Sequence, residues 1–357
     1  MKIKYLKIFY SSHIILLLTA VFLRNILFHL KYSSDCFVNN FAVSGNYFNK
    51  ENRKMELIVT EDLEVVQPVN IEGVRATFVD EKYGSHPRNS FDIWLANSEE
   101  PTPLVIYIHG GGFLGGDKSK YYSSEDMIRF LRSGVSVAVI NYRFMNEPPY
   151  GILASMSDSK RCLQYIRYNA EKYNIDKEKI ACSGGSAGAG TSLWLAFSDD
   201  MAEPQNQDPV LRESTRLLCA GAFATQSTYD ICRWDKIIGL PKDNSPEKLL
   251  EIAFAFGFKS AESLKLPEAE HVKKELDFLE KMHKNASPFY VFNKQAGGIP
   301  SNQDELNHHP NHARALLEKA KEVEAEAVVY APEIGISDPS GKDLVDFFLE
   351  KFHLAEK

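Results

Sequence analysis

Residues 179–194 decide the fold, and they read K-I-A-C-S-G-G-S-A-G-A-G-T-S-L-W. An apolar, strand-like run stops at Gly184, and an apolar, helix-like run begins after Gly188. Gly184-x-Ser186-x-Gly188 is the pattern of a nucleophile elbow, a sharp turn from strand to helix on which the serine backbone is strained. The turn closes only if neighbouring residues have almost no side chain, and it presents the serine hydroxyl at a helix N-terminus, which favours negative charge. Ser186 is therefore a candidate nucleophile; the alternative is a glycine-rich turn without chemistry.

A second glycine-rich stretch lies upstream. Residues 103–108 (P-L-V-I-Y-I) are typical of a buried strand, and His109-Gly110-Gly111-Gly112-Phe113 follows directly. This is an HGGG-type loop, whose glycines let backbone N–H groups turn toward the oxygen of a tetrahedral intermediate. We expect the oxyanion N–H groups to come from Gly111, Gly112 and Ala187. A phosphate-binding loop is the alternative, but no Gly-Lys-Ser/Thr follows.

The two motifs, in this order, resemble the α/β-hydrolase superfamily. The similarity is greatest to esterases and lipases related to hormone-sensitive lipase and to bacterial feruloyl-esterase-like (BD-FAE-like) proteins. It covers residues 74–200 well and extends more loosely to about residue 352. Further stretches that carry it are Y-G-S-H-P-R-N at residues 83–89, Asn141-Tyr142-Arg143, Asp158 and residues 176–188. The resemblance implies an α/β fold with a mostly parallel sheet, helices on both faces, and a chain order of serine, acid, histidine.

Composition limits the class of protein. The chain has 357 residues, 44% hydrophobic and 25% charged, which suits one large globular domain. The net charge of −7 and the lack of a basic aromatic patch argue against nucleic-acid binding. The five cysteines are odd in number and widely spaced, so they predict neither a disulfide framework nor a metal-binding motif.

The N-terminus forms a separate segment. Lysines at positions 2, 4 and 7 precede an apolar run over residues 8–23 that ends at Arg24, a pattern typical of a signal peptide or membrane anchor. We therefore expect residues 1–54 to be a signal or anchor with a linker, residues 55–357 to be the hydrolase domain, and the protein to be exported or membrane-anchored. If translation starts at Met55 instead, the protein would be cytoplasmic.

Strand and helix patterns alternate along the domain, which predicts a parallel sheet with ligands at the carboxyl ends of its strands. Residues 228–286 interrupt the alternation as a helical insertion, where Ser245 is a candidate N-cap and Val272, Leu276, Leu279 and Met282 form one apolar stripe. The insertion is either a lid over the active site or a helical excursion packed beside the sheet.

The acid is the first uncertain member of the catalytic set. Asp304-Glu305-Leu306 is similar to the Asp-Pro-Leu segment of the resembled family, so Asp304 is the candidate acid. Asp230 is the fallback, and helix capping is the alternative role for Asp304.

The general base is the larger problem, because residues 331–338, where the resemblance implies the histidine, contain none. Three histidines instead follow Asp304 in N-H-H-P-N-H at residues 307–312. We expect the base to be His308 or His309; a structural or capping role and, least favoured, a metal site are the alternatives. His109 is expected to brace the oxyanion loop and His353 to lie on the surface.

These residues predict a serine carboxylic-ester hydrolase that works through an acyl-enzyme without a cofactor or metal. The resemblance implies a short-chain acyl or carbohydrate ester as substrate. The alternative is a binding or scaffold protein on the same fold that has lost its catalytic histidine.

Overall fold

Eight strands form a single sheet within residues 76–122 and 124–354, the part of the chain that this computed structural model describes. The strands are β1 Phe78–Lys82, β2 Ser90–Trp94, β3 Thr102–Ile108, β4 Ser136–Ile140, β5 Ile175–Gly185, β6 Ala220–Phe223, β7 Phe289–Phe292 and β8 Ala327–Tyr330. Their spatial order is β1-β2-β4-β3-β5-β6-β7-β8. β1 and β2 pair antiparallel at one edge, and all pairs from β4 to β8 are parallel.

The two central strands bring the two glycine motifs to the same place. β3 is buried at every position and β5 is buried from Ile180 to Gly184, as strands covered on two faces must be. Ile106 pairs with Cys182 and Ile108 with Gly184, so β3 and β5 end side by side. The loop after β3 and the turn after β5 therefore leave the sheet at adjacent points of its carboxyl edge, where ligands bind in open α/β sheets.

Helices cover both faces, as the alternating pattern predicts. They are α1 Glu125–Arg132, α2 Ile152–Tyr168, α3 Ala187–Phe197, α4 Trp234–Ile238, α5 Pro246–Ala255, α6 Pro267–Leu276, α7 Phe278–Lys281, α8 Gln303–Asn307, α9 Asn311–Val323 and α10 Leu344–Phe352. Met156 of α2 and Leu193 of α3 pack in the core on one face, whereas Phe130 of α1 and Phe348 of α10 pack in the core on the other. The fold-class prediction is confirmed.

The segment from 228 to 286 contains helices α4 to α7 between β6 and β7, with Ser245 accepting a hydrogen bond from the Lys248 N–H as the N-cap of α5. The expected single apolar stripe is wrong in one respect. The helix ends at Leu276, and a short second helix begins at Phe278, because Asp277 leaves the helical conformation (ψ 69°). Leu276 and Phe278 are fully buried in the main core, so this part of the insertion packs beside the sheet. A covering role for the remainder stays a prediction.

The pairing of β1 with β2 has an irregular register, with a shift between Phe78 and Glu81. The predictions for residues 1–54, including the possible start at Met55, lie outside the described residues. Within the described part of the chain, no helix combines the length and apolarity needed to cross a membrane.

Candidate active site

Ser186 lies on a strained turn between β5 and α3. Its backbone has φ 52° and ψ −117°, in the left-handed half of conformational space that non-glycine residues rarely adopt. The turn is held because the Ser186 N–H donates to the Phe223 carbonyl at 2.9 Å and the Ser186 carbonyl accepts from the Gly190 N–H at 3.1 Å. A Cβ at Gly188 would overlap the Ile108 carbonyl oxygen, which explains the need for glycine there.

Three predicted site residues meet at this turn. The Oγ of Ser186 lies 2.8 Å from Nε2 of His308, and Nδ1 of His308 lies 2.9 Å from a carboxylate oxygen of Asp304. A carboxylate only accepts hydrogen bonds, so Nδ1 carries the ring proton and Nε2 is left to accept from the serine hydroxyl. This is the arrangement that a nucleophile, a base and an orienting acid need.

The His308 backbone is fixed from three sides, although it follows a helix of only five residues. Its N–H donates to the Asp304 carbonyl at 3.0 Å, and its carbonyl accepts from the Asn293 side chain at 2.9 Å. The Gln226 amide donates to the carbonyl of Asn307 at 2.7 Å. The ring is thus supported by residues at the ends of β6 and β7, beside the elbow.

Burial keeps the His308 ring neutral. Its side chain is 17% exposed, and this loss of solvation is the largest cause that lowers its pKa. The positive charge of Lys120 lowers the pKa further, whereas the charge and hydrogen bond of Asp304 raise it. Because the pKa lies below its usual range, the ring is unprotonated at neutral pH and can accept a proton.

Each of the three expected oxyanion N–H groups belongs to a peptide unit whose carbonyl oxygen is held by a polar contact. The carbonyl of Gly110 faces Nδ1 of His109 at 2.7 Å, and the carbonyl of Gly111 accepts from Leu114 and Gly115 at 3.0 and 3.1 Å. The Ser186 carbonyl is anchored by α3, as described above. Within residues 76–122 and 124–354, the N–H groups of Gly111, Gly112 and Ala187 donate to no other backbone or side-chain group. They remain available for a substrate oxygen.

His109 braces the oxyanion loop. Its ring stacks on Tyr142 with centroids 4.3 Å apart, and the Tyr142 hydroxyl donates to the His109 carbonyl at 2.7 Å. The ring is fully buried, and burial is the main cause that lowers its pKa to about 4. Because the His109 ring is buried, neutral and in contact with its own loop, it is better placed to support that loop than to transfer a proton.

The other candidates lie in different contacts. His309 uses Nε2 toward the Gly298 carbonyl at 3.0 Å and Nδ1 to accept from the Asn311 N–H, so it braces its loop and does not face Ser186. His312 is buried against Trp234 and Ser227, with burial lowering its pKa to about 3. Asp230 accepts from the Cys232 N–H at the start of a short 3-10 turn.

The three clustered histidines thus point to different partners. In the described ranges, no group of three or more histidine, cysteine or acidic side chains is arranged to hold a metal ion.

Two tyrosine hydroxyls contact the elbow, and no sequence motif indicates either contact. The Tyr121 hydroxyl accepts from the Gly185 N–H at 3.0 Å and reaches the Ile108 carbonyl at 3.3 Å. The Tyr229 hydroxyl donates to the Ala187 carbonyl at 2.8 Å. Neither tyrosine belongs to a motif, so only the fold shows that they support the turn.

The sheet order, the strained serine after β5 and the glycine loop after β3 are features of the α/β-hydrolase fold. Residues 91–251 match the BD-FAE family model. A probable isoprenylcysteine alpha-carbonyl methylesterase of Arabidopsis thaliana is 28% identical over 126 residues, which are 35% of this chain and 29% of that protein. The probable carboxylic ester hydrolase LipM of Mycobacterium tuberculosis is 25% identical over 260 residues, 71% of this chain and 53% of LipM.

A solved structure, the truncated form of a carbohydrate esterase from gut microbiota, superposes with a TM-score of 0.56 at 17% identity, covering 77% of this chain and 95% of that one. These comparisons show that the chain has the α/β-hydrolase fold and is similar to esterases. It matches about half or less of the length of the two curated relatives described above.

Proposed function

We propose that the protein is a serine carboxylic-ester hydrolase with Ser186 as nucleophile, His308 as general base and Asp304 as the acid that orients it. The observation that carries this proposal is the chain of two contacts from the Ser186 hydroxyl through the His308 ring to the Asp304 carboxylate. A serine hydroxyl is a weak nucleophile until a base stands ready to take its proton.

The reaction follows from these positions. As the Ser186 oxygen bonds to the ester carbonyl carbon, His308 Nε2 takes the hydroxyl proton, and the carbonyl oxygen becomes an anion that the N–H groups of Gly111, Gly112 and Ala187 stabilise. The imidazolium then gives its proton to the leaving alcohol oxygen, and the carbon–oxygen bond breaks to leave an acyl-enzyme. A water molecule then attacks the carbonyl carbon of the acyl-enzyme in the same way, with His308 as its base. The carboxylic acid is released and Ser186 is free again.

The base and its acid come from one short segment in this proposal. Both follow β7, whereas the resemblance places the histidine after β8. The segment after β8 forms a 3-10 turn at Pro332–Ile334, within residues 331–338 that contain no histidine. The order serine, acid, histidine along the chain is nevertheless kept.

As substrate we propose a short-chain acyl or carbohydrate ester. The likeness to a carbohydrate esterase supports this class, and so does the exposure of Gly111 and Gly112, which leaves room for a bulky polar alcohol beside the oxyanion loop. The alternative, a scaffold protein without a base, rested on the missing histidine after β8. The position of His308 weakens that argument.

Hydrolysis of p-nitrophenyl acetate by two matched variants tests the assignment. His308→Ala should lose about 10³-fold or more in kcat, the scale for removing a general base, with the fold unchanged. His309→Ala removes a neighbouring ring that contacts Gly298 and should cost far less activity. Equal losses in both variants, or a loss in His309→Ala alone, would overturn the assignment of His308.

A further inference from the structure

Arg88 lies in the segment between β1 and β2 and reaches under the oxyanion loop. Its Nε donates to the Tyr142 carbonyl at 2.9 Å, and its guanidinium stacks on the Phe144 ring with its central carbon 4.0 Å from the ring centroid. One terminal nitrogen reaches three groups: the Gly116 carbonyl at 2.9 Å, the Asn141 side-chain oxygen at 3.2 Å and Nε2 of His109 at 3.2 Å. Arg88 therefore holds both ends of the loop that runs from His109 to Gly116.

Two contacts, with Arg88 and with the Gly110 carbonyl, agree on which nitrogen of the His109 ring carries the proton. A guanidinium has donors and no acceptor, so Nε2 of His109 must be the accepting nitrogen. In a neutral ring the proton is then on Nδ1, which donates to the Gly110 carbonyl at 2.7 Å. With the opposite tautomer, Nδ1 and the carbonyl would both be acceptors and would repel each other.

This carbonyl is coupled to catalysis through a planar peptide. The Gly110 carbonyl and the Gly111 N–H belong to one trans unit, so they point in opposite directions. A hydrogen bond that fixes the carbonyl toward the His109 ring therefore also fixes the direction of the Gly111 N–H. Glycine residues offer little resistance to rotation of this unit, so the restraint must come from the ring.

We propose that Arg88 is a positioning residue: it sets the proton on Nδ1 of His109, and through the Gly110 carbonyl it orients the Gly111 N–H toward the oxyanion. The catalytic part of this inference rests on the proposed function; the tautomer part does not.

Kinetics of Arg88→Met on p-nitrophenyl acetate test the catalytic part. Methionine keeps an apolar stem on Phe144 and removes the donors, so kcat should fall by about 10- to 100-fold, up to the scale for loss of one oxyanion donor, while KM stays within about twofold. Arg161→Met is the control, because Arg161 donates to the Tyr83 carbonyl of the same segment at 2.9 Å without touching the oxyanion loop. Equal kcat losses in both variants would mean a merely structural role and overturn the proposal.

Nitrogen-15 NMR of the His109 ring tests the tautomer without any substrate. Wild type should show a protonated Nδ1 and a bare Nε2, and Arg88→Met should show a mixture or the opposite tautomer. The same Nδ1-protonated ring in both would overturn the proposal. If wild type hydrolyses no ester, the proposed function fails, while this measurement still decides whether Arg88 sets the ring proton.

Discussion

Replacing Asp304 by asparagine removes the charge that faces His308 and keeps the side-chain shape. In the proposed mechanism the His308 ring becomes positive in the transition state, and Asp304 stabilises that charge across a contact of 2.9 Å. The Asp304 side chain is 74% exposed, unlike the buried acid of a typical triad. Its electrostatic contribution is therefore screened by water.

The size of the effect follows from Coulomb's law. Charges about 4 Å apart interact by about 1 kcal/mol in water and about 4 kcal/mol at an effective dielectric constant of 20. Because Asp304 is mostly exposed, the value for water, about 1 kcal/mol, applies, and it corresponds to about fivefold in rate. A buried triad acid is worth about 10⁴-fold. We expect Asp304→Asn to lower kcat/KM by about fivefold at neutral pH.

The pH dependence of kcat/KM on p-nitrophenyl acetate gives a second, signed test. Asp304 raises the pKa of His308, so its loss should lower that pKa and move the acid limb of the profile to lower pH. A loss near 10⁴-fold would show that Asp304 is dehydrated in the working enzyme, and an acid limb at higher pH would refute the assignment of Asp304 as the partner of His308.

The remaining predictions concern the charge beside the base and the glycines of the two motifs. Lys120→Gln should move the acid limb of kcat/KM to higher pH, because the lysine charge lowers the pKa of His308; an unmoved limb would contradict this. Gly111→Ala should lower kcat by about 10²-fold or more, because its Cβ would overlap the backbone and its φ is 117°. Gly112→Ala should lower kcat by about tenfold or less, because a Cβ there would meet no atom within 4 Å and its φ is 60°. Equal losses in the two variants would contradict this account of the loop. Gly188→Ala should lower the free energy of unfolding by about 1–3 kcal/mol in denaturant titrations, because its Cβ would overlap the neighbouring strand; unchanged stability would contradict this close packing.

The sequence predicts those parts of the site that a local pattern encodes. Ser186 and Gly111 are visible because their turns need small residues at fixed spacings, and each turn follows an apolar strand. The register that places Ile108 opposite Gly184 then brings the two turns together. Parallel pairing follows from the alternation of strands and helices, so the location of the site at the carboxyl edge was predictable.

Which histidine contacts Ser186 could not be predicted from the sequence, because it depends on side-chain direction. His308 and His309 are adjacent in sequence, but one follows α8 with its ring toward Ser186 and the other turns toward Gly298. From the sequence, excluding the other histidines leaves His308 and His309 as the two candidates. The break at Asp277 was missed for a similar reason: the apolar stripe continues through it, and the core contacts of Phe278 decide the new direction.

Covalent labelling of Ser186 tests the central claim, that His308 activates this serine, most directly. We would treat wild type, Ser186→Ala and His308→Ala with a fluorophosphonate and follow intact mass over time. The account predicts one adduct on wild type, none on Ser186→Ala, and labelling of His308→Ala slowed by orders of magnitude. A wild-type protein that stays unlabelled while a control esterase reacts, or a His308→Ala variant that reacts at the wild-type rate, would contradict it.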